Sequence, residues 1–532
     1  MKKKFTLFVL LSFLVPFITL GMTQSVSADE QTPADTFRVG MEAGYAPFNW
    51  TQTSDSHGAV PIGDSNNSWA GGYDVQIAKK IADGLGKKLE IVKTDWDGLP
   101  VALQSGRIDA VIAGMSPTAE RKKEIDFSDP YYESDLVVVV KADSKYANAT
   151  SLKDFTGAKI TAQQSTFHYT VIDQIPEVDK RQASKSFSQM RAALLAGDID
   201  GYVSERPEGV TAETADKKYK MVEFAEGQGF ETNPEDVQVA IGMRKGDADI
   251  AKVNQILAGI SADERIKLMD QAIEDQPVTS DAQEEGGLLH DFKNIWNNYG
   301  KLFLQGAGLT LFIALFSTVV GTGIGLLIGV FRTLPKAGSK LGTLIQKLCN
   351  GLLTIYIEVF RGTPMMVQAM VIFYGLGMAF GINLDRTFAA LLIVSINTGA
   401  YMSEIVRGGI FAVDAGQFEA AQAIGMTHGQ TMRKVVLPQV LRNILPATGN
   451  EFVINIKDTA VLSVISVADL FFQGNSAAGT NYQYFQTFAI IGLMYLVMTI
   501  TVSRLLRFVE SRLDGPASYE KTDTATSGEL KE

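Results

Sequence analysis

The spacing of hydrophobic positions changes character near residue 300. Before about residue 287, short apolar runs alternate with amphipathic segments. Val111-Ile112-Ala113 and residues 136–140 read as buried strands, and Ile77, Ile81 and Leu85 recur every fourth position as one face of a helix. This alternation predicts an α/β domain whose helices cover a largely parallel sheet, with ligands collecting at the carboxyl ends of the strands. From residue 303 onward, long apolar stretches alternate with short charged loops. A bilayer crossing takes about 20 apolar residues. The stretches 303–331, 352–380, 388–410, 445–472 and 485–506 meet that length. They predict an all-α transmembrane domain with about five spans, the second and fourth carrying the most polar residues.

The ends and the join divide the chain further. Lys2, Lys3 and Lys4, an apolar run and Val26-Ser27-Ala28 predict an export signal over residues 1–28. A globular domain over 37–275 follows. The acidic, apolar-poor stretch within 276–292 reads as a flexible tether, which would hold a ligand trap at high effective concentration beside a pore. The membrane domain then runs over 293–514, and a polar tail over 515–532. With the first domain outside, Arg332, Lys336, Lys340 and Lys347 fall inside, as do Arg433, Lys434, Arg442, Arg504, Arg507 and Arg512, as the positive-inside rule requires.

Charge and composition narrow the chemistry. The 532 residues carry a net charge of −11, which argues against nucleic acid as a partner. Cys349 is the single cysteine and lies in the membrane half, so no disulfide framework is possible. His57, His168, His290 and His428 form no ligand cluster in sequence, and no metal site is expected. No phosphate-cradling Gly-x-x-x-x-Gly-Lys-[Ser/Thr] occurs, so the chain itself binds no nucleotide. Gly321-Thr322-Gly323-Ile324-Gly325 has apolar flanks and predicts close helix packing instead.

The first half carries specific motifs. Tyr45-Ala46-Pro47-Phe48, Gly72-Tyr73-Asp74-Val75-Gln76-Ile77-Ala78 and Trp96-Asp97-Gly98-Leu99 are followed by Ala113-Gly114-Met115-Ser116-Pro117-Thr118-Ala119-Glu120-Arg121 and, through residue 128, by Phe127-Ser128. Together they resemble the polar amino-acid branch of bacterial solute-binding proteins, with Gln76 in place of the usual acid. The resemblance implies a two-lobed, type II periplasmic-binding-protein fold that hinges shut on a free L-amino acid, with crossover strands near residues 136–140 and 237–243. Such a ligand offers a carboxylate, an ammonium and a side chain. The planar fork of Arg121 suits the carboxylate, with Gly114 and Ser116 just before it. By resemblance, the Gln163-Gln164-Ser165-Thr166 loop adds backbone amides and the Thr166 hydroxyl. Glu205 stands where the family places an acid, commonly Asp, for the ammonium. Tyr45 and Trp96 take its aromatic positions against the ligand side chain. Glu42 takes the place of an acid for the distal group, favouring a basic or amide amino acid. Thr118 either supports its turn or touches the ligand.

In the membrane half, Glu419-Ala420-Ala421-Gln422-Ala423-Ile424-Gly425 precedes Val435-Val436-Leu437-Pro438 after a nine-residue gap. This resembles the EAA loop of ABC import permeases. Glu358 to Pro364 and Ala400 to Gly409 are similar to the polar amino-acid permeases. The resemblance implies a cell-membrane importer subunit rather than an enzyme, with no catalytic residues and no cofactor of its own. ATP would be hydrolysed by a separate cytoplasmic subunit present in two copies, on a homodimer. Glu419, Ala420 and Ala421 would open the coupling helix and Gly425 would turn its end. Charges near spans are costly unless paired, so Glu358, Arg361, Glu404 and Arg407 are read chiefly as helix-pairing groups. A ligand-gated ion channel is the alternative, but it would lack the EAA loop. A lyase or dehydratase would need an acid–base pair, and a sensor a cytoplasmic signalling domain.

Overall fold

The computed structural model describes residues 36–63, 68–276 and 288–513. The export signal, residues 277–287 of the join and the tail lie outside the described residues. The first half contains strands β1 (Thr36–Met41), β2 (Gly44–Tyr45), β3 (Asn49–Gln52), β4 (Val60–Pro61), β5 (Trp69–Gly71), β6 (Lys88–Lys93), β7 (Ala110–Val111), β8 (Asp126–Glu133), β9 (Leu136–Lys141), β10 (Lys159–Thr161), β11 (Asp179–Lys180), β12 (Gly201–Glu205), β13 (Tyr219–Val222) and β14 (Gln238–Met243). Its helices are α1 (Tyr73–Leu85), α2 (Leu99–Gln104), α3 (Arg121–Glu124), α4 (Phe167–Val171), α5 (Phe187–Ala196), α6 (Arg206–Ala215), α7 (Ile250–Ala258) and α8 (Ala262–Asp275).

Two sheets form two lobes. The first has the order β6-β1-β7-β14-β8 and the second β11-β10-β12-β9-β13. Phe37, Val39 and Met41 on β1 and Ile77, Ile81 and Leu85 on α1 are all buried, as their spacing predicts. The sheets are mixed rather than largely parallel. β1 runs parallel to β6 and β7, but β14 is antiparallel to β7 and β8, and β9 is antiparallel to β12 and β13. The reason is the double crossing. The chain leaves the first lobe from β8 into β9 and returns through β14, which enters its sheet from the opposite direction. The two crossings touch at Ser134 N–H, which donates to Val237 O at 3.1 Å. A small antiparallel sheet, β2-β3-β5-β4, extends the first lobe and carries Tyr45.

The second half is helical: α9 (Leu288–Arg332), α10 (Lys340–Gly362), α11 (Met365–Phe380), α12 (Arg386–Phe411), α13 (Ala415–Ala423), α14 (His428–Thr431), α15 (Leu437–Asp458), α16 (Leu470–Asn481) and α17 (Tyr484–Leu513). Helix α9 begins inside the stretch read as a tether. Its 45 residues extend about 65 Å, more than twice a hydrocarbon core. Among the described residues, three helices are long and apolar enough to cross a membrane, or up to four if a bent pair counts as one span. The expected count of about five is not reached, for two local reasons. The stretch 352–380 breaks between α10 and α11 with a bend of 112°. There Pro364 forces Thr363 out of helical geometry, to φ −120° and ψ 147°. The stretch 445–472 is not one helix: α15 ends at Asp458, a turn follows over Thr459–Ile465, and Ser466 takes the left-handed conformation at φ 58°.

Small and polar residues knit these helices together. A Cβ on Gly321, Gly325 or Gly329 would lie 2.5–2.6 Å from Thr398, Met402 or Val406 on α12, so α9 and α12 meet backbone to backbone along one seam. Asn455 donates to the hydroxyls of Thr318 (2.9 Å) and Thr398 (3.0 Å), joining α15, α9 and α12. Glu404 pairs with Arg332 at 2.5 Å and Arg407 at 2.6 Å, the pairing role expected for it. The binding half seats on the helical half. There Arg107 lies over the Phe373 ring at 3.4 Å and donates to the carbonyls of Phe373 and Leu384, each at 2.9 Å. Replacing Gly325 with Leu should open the glycine seam and destabilise the protein by about 1–3 kcal/mol. Gly323→Leu, where a Cβ meets nothing within 4 Å, should be near neutral. Thermal unfolding of the purified protein in detergent checks both.

Candidate functional site

The cleft between the lobes is lined by Tyr45, Trp96, Gly114, Ser116, Arg121, Gln163, Thr166, Phe167, His168, Phe187 and Glu205. Seven residues singled out in the sequence therefore converge: Tyr45, Trp96, Gly114, Ser116, Arg121, Thr166 and Glu205. A wider groove between α15 and α17, lined by Lys457, Arg504 and Arg507, includes none of them.

Local backbone explains the placement. Gly114 takes φ 64°, and a Cβ there would lie 2.8 Å from Tyr45 Cε1, so only glycine lets the Tyr45 ring lie flat against this turn. Tyr45 is stacked between Phe48 (5.0 Å) and Phe187 (4.5 Å), and its hydroxyl donates to Glu205. Arg121 opens α3. Its Nη1 donates to Ser116 O at 2.9 Å and its Nη2 to Ser165 O at 2.8 Å, one carbonyl from each lobe. The guanidinium also lies 5.1 Å from the Trp96 ring. Burial lowers the Arg121 pKa to about 10, with Glu205 acting against that shift. Thr118 accepts from Arg121 N at 3.4 Å and so supports its turn. The Thr166 hydroxyl donates to Gln163 O at 2.7 Å, closing its own loop.

On the second lobe, Glu205 ends β12 and is 3% exposed. Burial raises its pKa, but the imidazole of His168 and the Tyr45 hydroxyl outweigh that and hold it below the ordinary carboxyl range. His168 Nε2 lies 3.1 Å from Glu205 Oε1, and neither ring nitrogen makes an aligned hydrogen bond. Phe167, His168 and Phe187 are lining residues that sequence reasoning did not select, and Gln163 was read there only as part of a loop offering backbone amides. His168 sits two residues beyond the Thr166 loop, a position visible in the sequence, but the histidines were weighed there only as metal ligands. Phe187 carried no signal.

Glu42 is not among the lining residues. It accepts from Gln163 Nε2 at 3.3 Å and keeps charged company with Asp95, Lys93 and Asp97. Desolvation, then Asp95, push its pKa up to about 7. Burial likewise raises Asp95 to about 6. In the helical half, Glu419 and Ala420 are exposed on α13 and Ala421 is buried. The helix opens earlier than expected, because Asp414 caps it by accepting from Gly416 N at 2.7 Å. Gly425, at φ 80°, does turn its end: Gly425 N donates to Gln422 O and Met426 N to Ala421 O.

Comparison with known proteins matches both halves. Residues 37–272 match the bacterial extracellular solute-binding proteins, family 3, and residues 321–515 match the binding-protein-dependent transport system inner membrane component. The glutamine transport system permease protein GlnP of Escherichia coli (strain K12) is 38% identical over 224 residues, 42% of this chain and 97% of that protein. The arginine transport system permease protein ArtQ of Bacillus subtilis (strain 168) is 35% identical over 210 residues, 40% of this chain and 91% of that protein. A crystal structure of the substrate-binding protein of an amino acid ABC transporter is 32% identical, covers 45% of this chain and 100% of its own, and gives a TM-score of 0.38.

The raised carboxyls predict a pH dependence. Glu42 and Asp95 hold protons in the folded state up to about pH 7 and 6, but release them near 4.5 and 3.8 when unfolded. Between about pH 4.5 and 7 the folded chain therefore binds more protons, and its stability falls as pH rises. Glu42→Gln should flatten this slope and raise the melting temperature at pH 7 by a few degrees, with little change at pH 5. Thermal melts across pH 4.5–7.5 check it.

Proposed function

From a chain that belongs to the binding-protein-dependent transport inner membrane components, with a family 3 solute-binding domain on the same polypeptide, we propose an importer of basic or amide amino acids. The observation that carries this reading is the convergence of Arg121 and Glu205, of opposite charge, in one cleft walled by Tyr45 and Trp96. That pairing suits a zwitterion. Arg121 takes the carboxylate, with Ser116, Gly114 and Thr166 beside it, and Glu205 takes the ammonium, displacing the Tyr45 hydroxyl. Glu42 reaches the distal group through Gln163. Relatives named for glutamine and arginine transport support this polar class. Nothing in the comparisons favours the ion-channel alternative.

The binding half lies outside the cell, and the α13 loop lies in the cytoplasm beside a separate ATPase. Glu419 and Ala420 present the exposed contact, and Gly425 fixes the turn after it. Two copies of the chain pair with two ATPase copies. Helix α15 then completes about five crossings, with Asn450, Glu451 and Lys457 turned toward a path shared with the second copy rather than toward lipid. No cofactor binds this chain. ATP binding by the partner opens the path outward, and hydrolysis and release return it inward.

Calorimetric titration of the full chain with the twenty amino acids tests the ligand. A basic or amide amino acid should bind, and Arg121→Ala should weaken it at least thirtyfold, for a lost charge pair of about 2–5 kcal/mol. Binding of a sugar or a metal instead refutes the ligand class. Glu419→Ala should release the co-purified ATPase without changing amino-acid affinity. An ATPase retained in full would overturn the coupling role of this loop.

A further inference from the structure

Two partners already hold the carboxylate that the importer reading gives to the ligand's ammonium. The Tyr45 hydroxyl donates to Glu205 Oε2, and His168 Nε2 lies 3.1 Å from Glu205 Oε1. Tyr45 comes from the other lobe and can yield its place to the ligand. His168 cannot leave. It is carried on α4 of the same lobe as Glu205, is 5% exposed, and has its ring 4.3 Å from that of Phe167. Both of its ring nitrogens are buried without an aligned hydrogen bond, so neither is committed to a partner away from the cleft.

A count of charges decides which form of His168 the filled cleft accepts. The ligand's carboxylate and ammonium, the Arg121 guanidinium across the cleft and the Glu205 carboxylate sum to zero. Burial, then Glu205, hold Tyr45 un-ionised. Glu208 and Asp74 act on the Tyr45 hydroxyl but are engaged elsewhere. Glu208 accepts from Arg191 at 2.5 Å, and Asp74 accepts from Tyr131 at 2.6 Å and Asn49 at 2.8 Å. An imidazolium would therefore add one uncompensated positive charge beside the ammonium, and a buried ion without a counter-ion is strongly disfavoured. A neutral imidazole protonated on Nε2 adds no charge and still offers Glu205 a donor. In the empty cleft the balance reverses, because Glu205 is then the counter-ion of an imidazolium.

We propose that His168 is a positioning residue of the ammonium site and that the ligand's ammonium is exchanged there for a proton: the empty cleft holds an imidazolium against Glu205, and filling it sends one imidazole proton to solvent. The proposal rests on the importer reading and adds a residue and a proton that this reading did not use. The sign follows from the competition. The empty cleft binds the proton more tightly than the filled one, so acid favours the empty cleft and amino-acid affinity falls as pH drops. An ordinary imidazole titrates near pH 6.5, which sets the window in which the exchange is read.

Calorimetric titration of the full chain with L-glutamine, and with L-arginine, in buffers of unlike ionisation enthalpy counts the protons. About half a proton or more should leave per amino acid bound at pH 6.0, and about none at pH 8.0. The dissociation constant should rise about fivefold or more from pH 8.0 to 5.5. His168→Gln keeps a donor for Glu205 but cannot ionise; it should still bind at pH 8.0, with no proton release and no weakening at pH 5.5. Glu42→Gln and Asp95→Asn remove the carboxyls raised to about 7 and about 6, and each variant should still release the proton. No release from the unmodified chain at pH 6.0, a release that survives in His168→Gln, or loss of binding by His168→Gln at pH 8.0 overturns the proposal and leaves the importer reading intact. If neither these two ligands nor any other amino acid binds the unmodified chain at pH 8.0, both fall.

Discussion

Glu205 sits almost out of water at the end of β12, in a place where burial alone would raise its pKa. An unpaired buried carboxylate costs several kcal/mol, so the fold around it is constrained to supply partners. His168 comes from its own lobe, and the Tyr45 hydroxyl comes from the other. Tyr45 is in turn fixed by stacking against Phe187 of the second lobe and by the room that Gly114 leaves. Compensation of the charge and closure of the lobes are therefore one equilibrium. Opening the hinge withdraws Tyr45 and rehydrates Glu205. On the proposed reading, a ligand ammonium would satisfy the same carboxylate more strongly than the phenol does, because it brings an opposite charge as well as a hydrogen bond.

The same logic recurs on the outside of the cleft. Arg191 and Glu208 form a pair that neither could sustain alone at such burial. Their pairing fixes a guanidinium at the surface of the second lobe where α16 ends. Lys93 does the corresponding work on the first lobe, tied to Thr51 and to Ser476 at once. Both lobes are rigid sheets with dense cores. The two lobes are joined by the crossings at β8–β9 and β14, which touch through Ser134 N–H and Val237 O.

How much of this was legible in the sequence depended on whether a signal was local. The segment from Ala113 to Ser128 carried the most specific motif, and seven of the residues selected by motif meet in the cleft. Glu42 was selected by position but is not among the lining residues. Ala43 after it takes φ 49°, a left-handed turn that an alanine does not advertise. Phe187 stacks on Tyr45 from far along the chain, and only the completed fold brings them together. In the membrane half, apolar windows located the helices but not their breaks. Hydropathy counts residues, whereas Pro364 and the left-handed Ser466 decide where a helix can continue.

The helical half also has a physical reason to respond as a unit. Gly306 on α9 leaves no room for a Cβ, which would meet Leu470 Cα at 2.8 Å, at the start of α16. Further along α9, Gly321, Gly325 and Gly329 press against α12 with equal intimacy. Helix α12 ends at Phe411, and the Asp414-capped helix bearing Glu419 begins almost at once. At each of these glycines a facing backbone atom lies within 3.2 Å of where a Cβ would stand, alongside the short side chains of Thr398 and Val406 at Gly321 and Gly329. Close-packed interfaces transmit strain instead of dissipating it. A shift of α16 must therefore be accommodated along α9 and α12, and beyond the end of α12 the residues Asp414, Glu419 and Ala420 are exposed.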